Sequence, residues 1–436
     1  MRCRRLAFLC SALLTVALPL SAFAAAAKDA SPGALPSASP AELGLSAERL
    51  QRIDAAMQAH VDAGNIAGAI GLVARRGKVA YVSSWGHADR EAKKPMTTDA
   101  LFRMYSMTKA VTGVAVMMLH EEQGWPLSAP ASRWIPELGD MKVVVHDAHP
   151  ETGAPRHRLV DARRDITIRD LLTHTSGISY AGPRNAQGDL YYQQAVAQRR
   201  GGEMTIGELA KALGNAPLHN HPGDVWQYGL SQDVLAALVE VMSGQTYDEF
   251  LQERIFGPLG MVDTQHWVDA SKHDRLATLY APTDAGIARS QAPAQNSYKS
   301  KPAMLGGGSG LVSTVGDYLR FCQMLLGGGE IDGTRLLSRK SVELMASDHI
   351  GDLPRVGGLI GPNDGFGLTF RVVREAGLSG ALGSSGEYSW GGAAGTRFWI
   401  DPEEELIGLF MIQILPHTGL EYGTQFKNLV YQSIVD

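Results

Sequence analysis

Predicted strands lie near both ends of this 436-residue chain, and a long stretch of predicted helices and loops separates them. Residues 70–74 and 79–82 are short apolar runs around a glycine-containing turn, which is typical of a β-hairpin. Further strand-like runs occupy residues 366–373, 388–390, 396–400 and 406–414. Because a sheet must bury its apolar faces, we expect both chain ends to build one sheet with helices packed on it.

This pattern predicts a two-lobed α/β protein. Residues 42–100 and 300–436 would form one lobe, and residues 101–299 would form a mostly helical lobe inserted between them. The polar residues 141–165 are expected to form a surface excursion. The chain is 44% hydrophobic and 19% charged, which excludes a largely disordered protein. Its net charge of −5 provides no basic excess for binding nucleic acid.

The N-terminus is typical of a secretory signal peptide. Arginines among the first five residues precede an apolar run at 6–20, and Ala22 and Ala24 provide a small-residue cleavage site. We therefore expect residues 1–24 to be removed, residues 25–41 to form a linker, and the protein to be exported to a bacterial periplasm. The apolar run is short for a bilayer span, so no stable membrane insertion is expected after cleavage.

One serine in the chain is followed by a lysine three residues later, in Ser106-Met107-Thr108-Lys109. The motif follows a possible strand at 101–104 and opens an apolar helix, where free N–H groups and the helix dipole favour a developing oxyanion. Lys109 falls on the same helix face, so its ammonium can reach the hydroxyl, which is a poor nucleophile until a neighbour removes its proton. A capping serine with a surface lysine is the structural alternative.

Two further segments could complete such a site. Tyr228 stands in the turn at 222–231, and a nearby ammonium would lower the pKa of its phenol and make it a usable base. Residues 389–393 (Ser-Trp-Gly-Gly-Ala) end a predicted strand, and a backbone N–H there could join that of Ser106 in an oxyanion hole. The structural alternatives are a core tyrosine and a glycine-rich turn beside a buried tryptophan.

Together these motifs resemble the serine β-lactamase/penicillin-binding-protein superfamily, and they are most similar to the class C β-lactamase-like family VIII carboxylesterases. The similarity extends over most of the chain from about residue 45 to 430. The Leu-Thr-His-Thr-Ser-Gly block is its most specific part. The matching segments, in the expected order, are residues 102–109, 166–178, 222–231, 256–261 and 390–392.

The resemblance implies a β-lactamase/transpeptidase-like fold, in which helices flank an antiparallel sheet and a mostly helical lobe is inserted. It implies that Ser106 is the acylated nucleophile, that Lys109 tunes and relays protons, and that Tyr228 is the general base and acid. The backbone N–H groups of Ser106 and Ala393 would form the oxyanion hole. The family uses no metal and no organic cofactor. The implied substrate-binding residues are Trp390, Gly391 and Gly392.

Two departures from the class C β-lactamase pattern favour an ester as the small-molecule substrate. Leu230 occupies the place of the asparagine in Tyr-x-Asn, and Trp390 stands where those enzymes have the lysine of Lys-Thr-Gly. Loss of that cation removes an attraction for the carboxylate of a β-lactam, and Arg397 is a candidate for its partial replacement. We therefore expect esters of short acyl chains, with a β-lactam or a D-amino-acid peptide as the alternative. A non-catalytic binder of cell-wall fragments would have lost the serine, lysine or tyrosine.

Other candidate sites have less support. His219 and His221 could supply part of a metal site, but no third ligand stands nearby in the sequence. His174 lacks the nucleophile elbow and acid of a serine–histidine triad, so we expect a structural role. The glycine-rich residues 306–310 lack the lysine of a phosphate loop and would form a backbone crossing next to the sheet. Cys322 is the sole cysteine after signal cleavage, which excludes an intramolecular disulfide.

Overall fold

The computed structural model describes residues 35–148, 151–152, 155–180, 204–284, 286–292, 298–417 and 421–436. The predicted signal peptide and the first part of the predicted linker lie outside these residues, so export stays a prediction. Ser37 bridges to Val79 of the sheet, and Ser39 caps a short 3-10 helix over Pro40–Leu43. The described end of the predicted linker is therefore attached to the α/β lobe.

Strands from both ends of the chain form one sheet, as the sequence predicts. Eight strands are hydrogen-bonded in the antiparallel order β14-β15-β16-β17-β18-β1-β2-β3, and Ile70 of β1 lies opposite Met411 of β18. The other strands of the described residues form two-stranded pairs, of which β7 and β13 are parallel. In chain order, β1 to β18 are Gly68–Arg75, Lys78–Asp89, Lys94–Pro95, Phe102–Arg103, Lys142–Ala148, Pro155–Asp161, Trp226–Gln227, Tyr280–Thr283, Gly286–Arg289, Val312–Ser313, Glu330–Ile331, Thr334–Arg335, Arg355–Val356, Asp364–Phe366, Arg371–Val373, Tyr388–Gly391, Arg397–Asp401 and Leu406–Met411.

Helices cover the sheet and build the second lobe. In chain order, the described α-helices α1 to α11 are Ala47–Asp62, Thr108–Gln123, Ile168–Leu172, Ile206–Gly214, Ser231–Ser243, Tyr247–Leu251, Gly257–Leu259, Val315–Leu326, Arg339–Met345, Ala376–Ser379 and Tyr422–Tyr431. A π-helical turn over Gln252–Phe256 joins α6 to α7. Further 3-10 turns are Tyr105–Met107, Ala131–Arg133, Pro136–Leu138 and Ala270–Arg275. None of the described helices is long and apolar enough to cross a membrane.

Side-chain alternation along the central strands gives the sheet two buried faces. Ile70 and Leu72 of β1 belong to the large core that includes α2 and α8. Val73 faces the other way, into the smaller core that includes α1 and α11. Each fully buried aliphatic side chain of this kind stabilises the fold by about 1.5–3 kcal/mol. The sheet thus lies between two helical layers, and α2, whose first turn contains the lysine of the Ser-x-x-Lys motif, packs in the larger core.

Two segments of the described chain differ from the sequence-based expectation. The predicted strand at 366–373 is divided into β14 and β15 by a turn in which Thr369 has a φ of 83°. A β-branched residue rarely adopts this left-handed conformation, so the composition of the segment gives no signal for the turn. The polar segment 141–165 contains the hairpin of β5 and β6, because Val143 and Val144 are buried and provide an apolar anchor.

Candidate active site

Ser106 lies where a short strand turns into a helix, as the sequence predicts. Strand β4 pairs with β10, the 3-10 turn Tyr105–Met107 follows, and α2 begins at Thr108. Tyr105 has a φ of 46°, a left-handed conformation that is uncommon for a residue other than glycine. This sharp change of chain direction puts the half-buried Ser106 at the N-terminal end of α2, where backbone N–H groups concentrate positive charge.

Lys109 occupies the first turn of α2 and is almost fully buried, with 1% of its surface exposed. Its Nζ donates to Ser106 Oγ at 3.3 Å and to the backbone oxygen of Gly308 at 2.5 Å. Burial alone would lower the pKa of Lys109, but the negative charges that Tyr180 and Tyr228 acquire on ionisation outweigh it and raise the pKa. Burial and the neighbouring charges thus act in opposite directions on this lysine.

Tyr228 lies beside this ammonium although it is far from Lys109 in the sequence. Lys109 Nζ is 4.7 Å from the centre of the Tyr228 ring. The ring also packs against Trp226, at 6.3 Å and 21°, and against Trp390, at 5.4 Å. Its hydroxyl is buried and has no hydrogen-bond partner among the described residues. The predicted serine, lysine and tyrosine are thus brought to one place, although the Tyr228 hydroxyl itself is buried.

Tyr180 is a second phenol at the site, and it was missed in the sequence analysis. Lys109 Nζ donates to its hydroxyl at 3.3 Å. The side chain is 37% exposed overall, but loss of hydration around its hydroxyl is the main cause that raises its pKa to about 12. The one available sequence signal was its position, two residues after the specific 166–178 block, which is itself buried almost throughout.

The Trp-Gly-Gly segment closes the site from the sheet. The Trp390 ring, at the end of β16, contacts both Tyr228 and Phe366. A side chain at Gly392 would place its Cβ only 2.4 Å from the backbone oxygen of Met104, so this close approach to the Ser106 turn requires glycine. The next residue, Ala393, has a backbone N–H with no acceptor among the described residues. Its position beside this turn is compatible with the predicted oxyanion hole.

His174 lies behind Tyr228 as a neutral packing group. It is fully buried, with its ring 4.7 Å from that of Tyr228 and 5.7 Å from that of Phe366. Burial, followed by the nearby Lys109 charge, lowers its pKa well below the usual value. Neither ring nitrogen bonds to a described serine or carboxylate, so the geometry is not that of a serine–histidine triad.

The proposed replacement of the missing cation by Arg397 is wrong. Along β17, Arg397 shares a face with Trp399, which belongs to the smaller core, whereas Phe398 faces the larger core with Trp390. Arg397 Nη1 accordingly donates to Thr424 Oγ1 in α11, at 3.1 Å, on the far side of the sheet. The strand alternation therefore directs its charge away from Ser106.

The remaining candidates do not enter the site as ligands. Leu230 is buried at the start of α5 and offers no polar group. His221 Nδ1 accepts from the backbone N–H of Arg163 at 3.3 Å, and His219 is largely buried. Within the described ranges, no three or more His, Cys, Asp or Glu side chains are grouped as metal ligands. Cys322 is fully buried in α8.

Comparison with known proteins gives matches over nearly the whole chain. A family model described as Beta-lactamase matches residues 53–430. Protein Rv1367c of Mycobacterium tuberculosis is 37% identical over 83% of this chain and 89% of its own length. Esterase EstB of Burkholderia gladioli is 30% identical over 85% of this chain and 91% of its own. The structure of EstCE1, a hydrolase with promiscuous acyltransferase activity, is 26% identical with a TM-score of 0.71, over 90% of this chain and 99% of that one.

Proposed function

Because the chain belongs to the β-lactamase family, we propose that it is a serine esterase that forms an acyl-enzyme on Ser106. The predicted resemblance to this superfamily and the predicted fold class are confirmed, and the similarity to EstB places the chain near the family VIII esterases. The observation that carries the proposal is the 3.3 Å contact of Ser106 Oγ with the buried Lys109 ammonium, beside the unpartnered phenol of Tyr228.

The proposed reaction begins with attack of Ser106 Oγ on the ester carbonyl carbon. The serine proton passes to the phenolate of Tyr228, which the adjacent Lys109 ammonium stabilises. The carbonyl oxygen becomes an oxyanion at the N–H groups of Ser106 and Ala393. Collapse of this intermediate breaks the bond to the alcohol, which takes the proton back from Tyr228. Water then attacks the acyl-enzyme with the same groups and releases the acid.

Tyr228 is a better candidate for the base than Tyr180. Burial raises the pKa of Tyr180 to about 12, which disfavours its phenolate near neutral pH. Its hydroxyl is also already bound to Lys109 at 3.3 Å, whereas that of Tyr228 has no partner among the described residues. We therefore assign the proton transfer to Tyr228 and the orientation of Lys109 to Tyr180.

An uncharged ester of a short acyl chain suits this site better than a β-lactam. Trp390 and Tyr228 make this side of the site aromatic, the fully buried Phe366 packs against Trp390, and Arg397 faces away from it. The carboxylate of a β-lactam would lose its hydration there without gaining a cation. The name of EstB, an esterase, supports the same substrate class.

The ratio of kcat/KM for nitrophenyl butyrate to kcat/KM for nitrocefin should be about 10- to 100-fold higher in the wild type than in an enzyme with a lysine at position 390. This range corresponds to the loss of a hydrogen bond to a charged group. The measurement compares both substrates, and a D-alanyl-D-alanine peptide, on the wild type, Trp390→Lys and Trp390→Phe. Trp390→Lys should lower the ratio of kcat/KM for the ester to kcat/KM for nitrocefin, and the control Trp390→Phe should leave that ratio unchanged. A wild type that prefers nitrocefin or the peptide would contradict the ester assignment.

A further inference from the structure

A buried carboxylate that the proposed mechanism does not use lies close to Lys109. Asp233 is the third residue of α5 and only 1% of its surface is exposed. Its Oδ1 accepts from the backbone N–H of Gly308 at 3.1 Å, and its Oδ2 has no hydrogen-bond partner among the described residues. Carboxylates are rarely buried to this degree unless they compensate another charge, so the position of Asp233 needs an electrostatic explanation.

Gly308 connects this carboxylate to the active-site lysine. Its N–H donates to Asp233, and its carbonyl oxygen accepts from Lys109 Nζ at 2.5 Å. A Cβ at Gly307 would lie 2.3 Å from the backbone oxygen of Gln232, which excludes a side chain there, and one at Gly308 would lie 2.8 Å from Asp233 Oδ2 and would displace that carboxylate. The glycine-rich segment 306–310, predicted as a crossing beside the sheet, thus passes between α2 and α5 and links their polar groups.

The Lys109 ammonium has no direct carboxylate partner in the described part of the chain. A buried cation without a compensating charge is strongly disfavoured. The negative charge of Asp233, which is linked to Lys109 through Gly308, supplies that compensation through a medium of low dielectric constant. Consistent with this arrangement, the charge of Asp233 raises the pKa of both Lys109 and Tyr180.

We propose that Asp233 is a positioning residue for Ser106 and Lys109. Its carboxylate fixes Gly308 so that the Gly308 carbonyl orients Lys109 Nζ toward Ser106 Oγ, and its negative charge compensates the buried charge of Lys109. Asp233 itself does not contact the reacting atoms. The kinetic consequence rests on the proposed esterase function, whereas the electrostatic coupling of Asp233 to Lys109 is independent of it.

Asp233→Asn keeps an oxygen that can accept from Gly308 and removes the charge. Loss of a negative charge lowers the pKa of a neighbouring acidic group, so the acid limb of kcat/KM against pH should move to lower pH, by about one pH unit. A change of one pKa unit in a group that exchanges a proton in the reaction corresponds to a factor of ten. We therefore expect kcat to fall about tenfold, with KM nearly unchanged. The measurement is nitrophenyl butyrate hydrolysis between pH 5 and 10.

Asp317→Asn is the matched control, because Asp317 is also buried and accepts from a backbone N–H, that of Asp263, at 2.7 Å. It should leave the pH profile in place. A folded Asp233→Asn variant whose profile superimposes on that of the wild type would overturn the proposal.

A double-mutant cycle on thermal unfolding tests the coupling without ester turnover. Lys109→Met leaves the Asp233 charge buried without its cation, so it should lower Tm more in the wild-type background than in the Asp233→Asn background. Equal losses in both backgrounds would refute the coupling. Coupling in a protein that does not hydrolyse esters would support the role of Asp233 and refute the proposed function.

Discussion

Ser106→Ala is expected to reduce hydrolysis of nitrophenyl butyrate by at least about a thousandfold, because it removes the atom that forms the acyl-enzyme. The buried surroundings of Lys109 and Tyr228 stay in place, so KM should change little. The variant should keep its Tm within a few degrees, since Ser106 is half-buried and its side chain makes a single hydrogen bond, with Lys109, among the described residues. The measurement is kcat and KM at neutral pH, with thermal unfolding as the check on folding.

Ser132→Ala provides the control for this change. Ser132 is also a hydroxyl in a 3-10 turn, but it bonds to the surface residue Asp165. The Ser132→Ala variant should retain full activity, and a fluorophosphonate should label this variant at Ser106, as it labels the wild type. Substantial turnover by purified Ser106→Ala would contradict the assignment of Ser106 as the nucleophile.

Tyr228→Phe is expected to lower kcat by about 10²- to 10⁴-fold, the usual range for loss of a general base. The ring contacts with Trp226 and Trp390 do not need the hydroxyl, so the variant should fold. Tyr180→Phe removes only one of three hydrogen bonds made by Lys109 Nζ, and we expect a loss of about tenfold or less.

The order of these two effects decides which phenol accepts the proton. Tyr81→Phe is the control, because it removes a phenol hydroxyl that bonds to Asp54 of α1, on the face of the sheet opposite α2. It should leave kcat unchanged. A larger loss in Tyr180→Phe than in Tyr228→Phe would transfer the role of base to Tyr180 and contradict the assignment made above.

Local sequence features predicted the parts of the site that depend on local geometry. Ser106 and Lys109 share one helix face because they are three residues apart, so their contact follows from the helix alone. The joining of both chain ends in one sheet followed from the distribution of short apolar runs. Tyr228 could be selected because a phenol beside a lysine ammonium is a usable base and because the segment 222–231 matches the family pattern.

Contacts between distant segments were beyond the sequence analysis. Tyr180 meets Lys109 across a separation of 71 residues, and Asp233 is linked to Lys109 only because α2, α5 and the glycine-rich segment 306–310 pack together. The side of the sheet that Arg397 faces could not be predicted, because the face of a strand that meets the site depends on its register with β16. Thr369 has a left-handed φ that its residue type disfavours.

Trapping of the covalent intermediate tests the central claim most directly. The full chain is mixed with excess nitrophenyl butyrate, quenched in acid within the first turnovers, digested and analysed by mass spectrometry. A Ser106 made reactive by Lys109 and Tyr228 should carry one butyryl group, on the peptide that contains residues 102–109, and Lys109→Met should abolish this adduct. A butyryl group on another residue, or turnover of the ester without any covalent adduct, would contradict the claim.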